Sequence, residues 1–191
     1  MALRNAVFEK PFCSPNPAAI VEWCREQNPD SVAVDAPCDW SQSGSSRAAE
    51  RELAARGIRC FTTPTRTHAL AHKKGFYDWV FNGEELYRLM KPHYPLLNGE
   101  LVRRPVCFET FPHAIVCALA GKAVPAKPKK IRRLKVLSEQ NYDVSVLSNI
   151  DFIDAALCAL TADEFRKGRI RQFGTREEGI LVVPEFAARA A

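Results

Sequence analysis

Apolar residues recur along this chain at two spacings, which together predict an alternation of strands and helices. Short apolar runs predict strands over 5–12, 32–34, 58–61, 102–109 and 180–183. Apolar positions three or four residues apart predict helices over 17–27, 46–56, 76–91, 113–120, 129–140 and 148–168. Strands that alternate with helices indicate an α/β fold whose strands are largely parallel and buried on both sides. We therefore expect one α/β domain spanning residues 1–191.

Composition narrows the class of protein. With 191 residues, 47% of them hydrophobic and 26% charged, the chain has the composition of a globular protein. No run approaches 18 consecutive apolar residues, so we expect no transmembrane helix and no membrane partner. The first residues lack the apolar core of a signal peptide. The seven cysteines are scattered without a CxxC pair, which favours a reducing compartment, and we expect a cytoplasmic protein.

Basic residues are unevenly distributed. The net charge is +5, but the segment 121–138 holds seven Lys and Arg residues and no acid, so the rest of the chain is slightly acidic. Such clusters favour a polyanion such as nucleic acid. We select Lys129, Lys130 and Arg133 as candidates for binding a phosphate backbone. A solvated surface helix without a ligand explains the same pattern, and the sequence leaves both interpretations open.

Two predicted strands end on an acid that is soon followed by a proline. Asp35 closes the run that begins at Val32, and Glu109 closes the run that begins at Val106. In an open α/β sheet, ligands bind outside the carboxyl ends of the strands. Two carboxylates brought together there repel unless a cation lies between them, and Mg²⁺ or Mn²⁺ is a cation that carboxylate oxygens hold. The alternative is that each acid caps the turn that follows it.

A third acid lies in the last predicted helix. Ser148 and Asp151 fit a capping box, which explains Asp151 without any chemistry. Asp154 lies one turn further on, in a run of small and apolar residues, where a charge destabilises the fold unless it is paired or bound to metal. We therefore assign Asp154 to the candidate metal site and Asp151 to its edge, since residues three apart share a helix face.

Three further residues have two interpretations each. Arg47 and Glu50 lie three residues apart on one predicted helix. Either Arg47 contacts a phosphate while Glu50 holds the arginine in place, or the two residues form a surface ion pair. His113 follows Glu109 by four residues and is either a proton shuttle or a packing residue at a helix start.

Several motifs, taken in order, resemble an uncharacterised family, domain of unknown function 429, whose members are predicted to be RNase H-like nucleases. The motifs are Val-Asp-Ala-Pro at 34–37, Arg47 with Glu-Arg-Glu-Leu at 50–53, Gly-Ile-Arg-Cys-Phe-Thr-Thr-Pro at 57–64, Phe-Glu-Thr-Phe-Pro-His at 108–113, and Asp-Phe-Ile-Asp-Ala-Ala-Leu-Cys-Ala-Leu at 151–160. The last of these also resembles the final catalytic helix of RuvC-type resolvases. The resemblance implies an RNase H-like mixed sheet flanked by helices, in which Asp35, Glu109 and Asp154 match acidic positions of the family pattern.

One departure from that pattern stands out. RNase H-like folds carry a central acid in their first strand, and no residue here matches it. Either the start codon lies further upstream, or this member has lost its first strands. A sheet without those strands exposes an edge, so we expect pairing with a second copy of the chain.

The leading functional hypothesis is metal-dependent hydrolysis of nucleic-acid phosphodiester bonds. Asp35, Glu109 and Asp154 hold Mg²⁺ or Mn²⁺ in this hypothesis, and the basic segment positions DNA or RNA. The alternative is a catalytically degenerate RNase H-like module that binds nucleic acid or a protein.

Overall fold

The computed structural model describes residues 1–100 and 105–185. The first half of the chain forms β1 (Leu3–Arg4), β2 (Val7–Phe8), α1 (Pro17–Gln27), β3 (Ser31–Val34), α2 (Ala48–Ala55), α3 (Arg66–Ala71) and α4 (Asp78–Met90). The second half forms β4 (Val106–Glu109), α5 (Pro112–Leu119), α6 (Lys129–Glu139), α7 (Ile150–Arg166), β5 (Ile170–Thr175) and β6 (Gly179–Pro184). None of the helices in these two ranges is both long and apolar enough to cross a membrane.

Four strands form a mixed sheet in the order β3-β4-β6-β5. Strands β3, β4 and β6 run parallel, and β5 pairs antiparallel with β6 as a hairpin. The predicted α/β class is therefore confirmed, and helices flank a sheet whose arrangement is consistent with an RNase H-like fold. The central strands β4 and β6 are buried along their whole length, as apolar strands between two helical layers must be.

Several predicted boundaries are wrong, each for a local reason. The strand expected over 5–12 is the short hairpin β1–β2, because Asn5 and Ala6 adopt positive φ and turn the chain. The segment 58–61 forms no strand: the Ile58 amide closes helix α2 by donating to the carbonyl of Leu53. Of the strand expected over 102–109, only 106–109 forms β4, and residues 101–104 lie outside the described residues.

The sequence pattern also missed two elements and misplaced one cap. Helix α3 and strand β5 were not predicted. The capping box expected on Ser148 and Asp151 is wrong by one residue, because Asn149 is the N-cap and its side chain accepts from the Phe152 amide at 2.9 Å. Asp151 is exposed and has no capping role.

Close packing of α4 fixes the segment that follows β3. Gly83 is buried within α4, and a Cβ built on it would lie 2.8 Å from the Cβ of Ala36. The Tyr87 hydroxyl, one turn later, donates to the Ala36 carbonyl at 3.1 Å. Helix α4 therefore holds the residue next to Asp35 at a distance that only glycine permits.

We predict that Gly83→Ala destabilises the protein by about 1 kcal/mol. Overpacking of a close contact destabilises by ~1–3 kcal/mol, whereas the higher helix propensity of alanine over glycine stabilises by ~1 kcal/mol. Urea unfolding measures the change. Ala36→Gly in the same chain removes the clash and should restore stability, whereas a Gly83→Ala variant more stable than the wild type would contradict the packing argument.

Candidate functional site

The two acids at the strand ends lie on neighbouring strands. Val34 pairs with Glu109 in the parallel register of β3 and β4, and Asp35 follows directly. Both carboxylates therefore stand at the carboxyl edge of the sheet, where open α/β sheets bind their ligands. Asp154 reaches the same edge from α7, which lies against β3.

Glu109 is fully engaged by Arg47. The guanidinium donates from Nη2 to Oε1 at 2.6 Å and from Nη1 to Oε2 at 2.7 Å, and the Cys38 amide donates to Oε2 at 2.9 Å. Arg47 is 1% exposed and Glu109 is 3% exposed. A buried bidentate pair of this kind is strong in energy and specific in geometry. Its guanidinium supplies the positive charge that the sequence suggested a divalent cation would bring to Glu109.

Glu50 holds the other side of the same guanidinium. Its Oε1 accepts from Arg47 Nε at 2.9 Å, and its Oε2 accepts from the backbone amides of Arg47 and Thr63 at 3.0 and 2.9 Å. The surface ion pair expected as one interpretation of Arg47 and Glu50 is therefore wrong, because both side chains are buried. A phosphate contact by Arg47 would require the guanidinium to leave both carboxylates.

Asp154 is paired with the second buried arginine. Arg133, 6% exposed on α6, donates from Nη1 to Asp154 Oδ1. Burial nevertheless raises the pKa of Asp154, and the opposing effect of Arg133 does not cancel it. The predicted role of Arg133 in nucleic-acid binding thus competes with a role in holding Asp154.

Asp35 has no hydrogen-bonded or ion-paired partner among the described residues. Burial among the surrounding protein atoms is the main cause that raises the pKa of Asp35 to about 7, followed by the nearby Asp154 carboxylate. Arg133 acts in the opposite direction and does not balance them. The side chain remains accessible to solvent, so we expect water to reduce part of this effect.

Asp35 lines two cavities. The larger, about 540 Å³, lies between α1, β3 and α7 and includes Asp151 and Asp154 in its wall. The smaller, about 160 Å³, includes Arg47, Glu50 and Glu109. Neither of these two cavities therefore contains all three predicted acids in its wall. Across residues 1–100 and 105–185, no group of three or more His, Cys, Asp or Glu residues is arranged to hold a metal ion.

The remaining predicted residues lie around this centre. Lys129 and Lys130 are exposed at the start of α6, and Lys130 Nζ donates to the Ser148 carbonyl at 3.0 Å. His113 is 7% exposed, and its Nε2 lies 3.9 Å from Cys117 Sγ. Burial and the cations of α6, Arg133 foremost, lower the pKa of His113.

Two features of the site were missed by sequence reasoning. Glu178, in the turn between β5 and β6, accepts from the Ala48 amide at 2.6 Å and from the Gln42 amide at 2.9 Å, and so fixes the start of α2. No spacing in the sequence points to it. Phe61 and Trp79 form part of the wall of the smaller cavity. Phe61 lies in an acid-free stretch over 53–77 with five Lys and Arg residues, a signal that could have found it, whereas Trp79 lies outside that stretch.

A family model described as "Protein of unknown function (DUF429)" matches residues 13–179. The chain belongs to this DUF429 family. All the motifs that suggested the resemblance lie within the matched range. No curated protein and no solved structure matches the DUF429 chain.

We predict that Arg47→Met destabilises the DUF429 protein by about 3–5 kcal/mol, because it leaves the Glu109 carboxylate buried without a counter-charge. Adding Glu109→Gln to Arg47→Met should recover part of the loss, since the remaining group is neutral. Denaturant unfolding of the two single variants and the double variant measures the coupling.

The exposed pair Arg88–Glu85 is the matched control for this cycle. Arg88→Met should change the free energy of unfolding by less than ~0.5 kcal/mol. Strictly additive losses for Arg47→Met and Glu109→Gln would show that the buried pair does not act as a unit.

We predict that Asp35→Asn stabilises the protein at neutral and alkaline pH, by about 1 kcal/mol once the access of water to the carboxylate is allowed for. Because the pKa of Asp35 is higher in the folded than in the unfolded chain, its ionisation opposes folding. The free energy of unfolding of the wild type should fall relative to the variant as the pH rises from ~4, where the carboxyl ionises in the unfolded chain, to about 7, its pKa in the folded chain, and the difference should be smallest below pH ~4. Thermal unfolding across this pH range tests it, and parallel curves would contradict the shifted pKa.

Proposed function

We propose that this DUF429 protein is a metal-dependent nuclease that hydrolyses nucleic-acid phosphodiester bonds, with Mg²⁺ or Mn²⁺ held by Asp35 and Asp154. The observation that supports it is the approach of these two carboxylates at the end of β3. Each lies in the wall of the larger cavity, and the charge of Asp154 helps to raise the pKa of Asp35. Two carboxylates kept together without full compensation are an arrangement that a cation relieves.

The donor set fits a hard cation in part. Carboxylate oxygens are the ligands of Mg²⁺ and Mn²⁺, and Asp35 has both oxygens free of protein partners among the described residues. Asp151 lines the same cavity and can add an outer ligand through water. Glu109 does not fit, because Arg47 and the Cys38 amide already occupy both of its oxygens. The proposed site therefore rests on two acids instead of the three that the sequence suggested.

Each residue of the chain has a distinct task in this proposal. A bound cation would supply activation of water and stabilisation of the leaving oxygen. Arg133 holds the Asp154 carboxylate in place. Lys129, exposed at the start of α6 and close enough to lower the pKa of Asp35, attracts a phosphate toward the acids. We place the protein in the cytoplasm, since all seven cysteines are free thiols, a state that a reducing compartment maintains.

A binding module without cleavage is the second candidate. The pairing of Arg47 with Glu109 favours it, because an arginine occupies the place at the strand end where a hydrolytic centre would need a free carboxylate. In this candidate the same surface binds nucleic acid or a protein, and the buried arginines stabilise the scaffold only.

We predict that Mn²⁺ raises the melting temperature of the wild type by several degrees. Saturation at ~100 times the dissociation constant stabilises a single site by ~2.7 kcal/mol. Asp35→Asn and Asp154→Asn should each lose this shift, measured from their own metal-free melting temperature. Asp30→Asn, which removes another acid from the wall of the same cavity, is the matched control and should keep it.

Cleavage of labelled DNA and RNA oligonucleotides separates the two candidates. Mn²⁺-dependent cleavage that both acid variants lose supports the nuclease. A shift that Asp35→Asn retains would overturn the site. Salt-dependent binding of nucleic acid by a folded wild type, without a metal shift and without cleavage, would establish the binding module in its place.

A further inference from the structure

Three large aromatic side chains form an exposed cluster beside the smaller cavity. Phe61, Phe76 and Trp79 are 52%, 46% and 39% exposed. The Phe61 ring lies 5.8 Å from the Phe76 ring and 5.3 Å from the Trp79 ring, measured between centroids. We call these three residues the aromatic patch. A contiguous patch of exposed apolar side chains is typical of an interaction site.

The chain segment that precedes Asp78, the exposed acid beside Trp79, concentrates positive charge near the aromatic patch. The segment 53–77, which contains two of its three members, has no acidic residue. Its five cations are all exposed: Arg56, Arg59, Arg66, Lys73 and Lys74. Arg56 lies over the Phe173 ring and Arg66 pairs with Glu84. In the part of the chain that the structure describes, the other three have no acidic partner.

Aromatic rings beside unpaired cations are the chemistry that binds single-stranded nucleic acid. The cations attract the phosphate backbone, and each exposed ring offers a face on which an unpaired base stacks. A duplex keeps its bases stacked on one another and offers none of them to a ring. A protein partner would bury the same rings, but it would gain nothing from three uncompensated cations unless it were itself strongly acidic.

The aromatic patch is continuous with the proposed site. Phe61 and Trp79 stand in the wall of the 160 Å³ cavity together with Asp35 and Thr110. Asp35 is also in the wall of the larger cavity, beside Asp154. Phe61 and Trp79 thus share a cavity wall with one of the two carboxylates of the proposed site.

We propose that the aromatic patch is a stacking platform for unpaired bases, so that single-stranded nucleic acid is the class of substrate that this chain selects. The assignment of a substrate rests on the proposed nuclease function, whereas the stacking itself requires neither metal nor cleavage. Phe61 is the central residue of the platform because it contacts both other rings.

Fluorescence anisotropy in the presence of EDTA tests the platform apart from the metal site. The probes are labelled oligothymidine and oligouridine of about 12 nucleotides, a length within the range that stacking grooves cover, and a duplex of equal length. We expect the single strands to bind at least tenfold more tightly than the duplex. Phe61→Ala and Trp79→Ala should each weaken single-strand binding about tenfold, the usual effect of losing one stacked base.

Phe12→Ala is the matched control, because Phe12 is 41% exposed and stacks on Trp23 at 5.7 Å, yet it is no member of the aromatic patch. It should leave binding unchanged. Lys73→Gln should lower the slope of log affinity against log salt by about one, as the loss of one phosphate contact does. The melting temperature of each variant shows that it is folded.

The outcomes separate this proposal from the nuclease. Equal affinity for single strands and duplex, or unchanged binding by folded Phe61→Ala, overturns the platform. Self-association that Phe61→Ala abolishes assigns the aromatic patch to a protein interface and overturns it as well. Binding that depends on Phe61 without any Mn²⁺-dependent cleavage supports the platform and removes the nuclease function. Cleavage that Phe61→Ala leaves unchanged supports the nuclease function and removes the platform.

Discussion

The guanidinium of Arg47 joins three parts of the chain that are distant in sequence. It lies at the start of α2 and binds Glu50 in its own helix, Glu109 at the end of β4, and the Glu178 carbonyl in the β5–β6 turn at 3.3 Å. A buried cation destabilises a protein unless its donors are satisfied, and here Nε, Nη1 and Nη2 all have acceptors. At the carboxyl edge of the sheet, one side chain therefore links helix α2, strand β4 and the β5–β6 turn.

Two arginines divide the acids into different electrostatic states. Glu109 is buried, and the guanidinium of Arg47 compensates its charge within the folded protein. Asp154 accepts a hydrogen bond from Arg133 through one of its carboxylate oxygens. The charge of Asp35 has no hydrogen-bonded partner among the described residues. Uncompensated groups concentrate at functional sites, because a fold that lacked a use for them would gain stability by replacing them. The charge of Asp35 is thus not explained by structural stability, because its ionisation opposes folding.

Sequence patterns predicted the parts of the site that depend on local spacing. The strand-end positions of Asp35 and Glu109 follow from short apolar runs, and the pairing of Arg47 with Glu50 follows from helical periodicity. The contact of Arg47 with Glu109 spans 62 residues, and that of Arg133 with Asp154 spans 21, so neither leaves a periodic signal. The same reason applies to the aromatic patch, whose rings come from a coil and from the region around the start of α4. Strand β5 was missed because its sequence, Ile-Arg-Gln-Phe-Gly-Thr, contains neither an apolar run nor a regular alternation, and its strand conformation is stabilised by pairing with β6.

The order of the strands also bears on how the protein is made. Strand β6 is central, with β4 on one side and β5 on the other, yet it follows all the other described strands in the chain. Until residues 179–184 are added, β4 pairs with β3 on one side, and on its other side only Cys107 is paired, by a bridge to Leu96, so the end of that edge lies open. Nascent chains with such edges are prone to aggregate. The sheet therefore closes only when β6 enters between β4 and β5, the two strands that precede it in the chain and flank it in the fold.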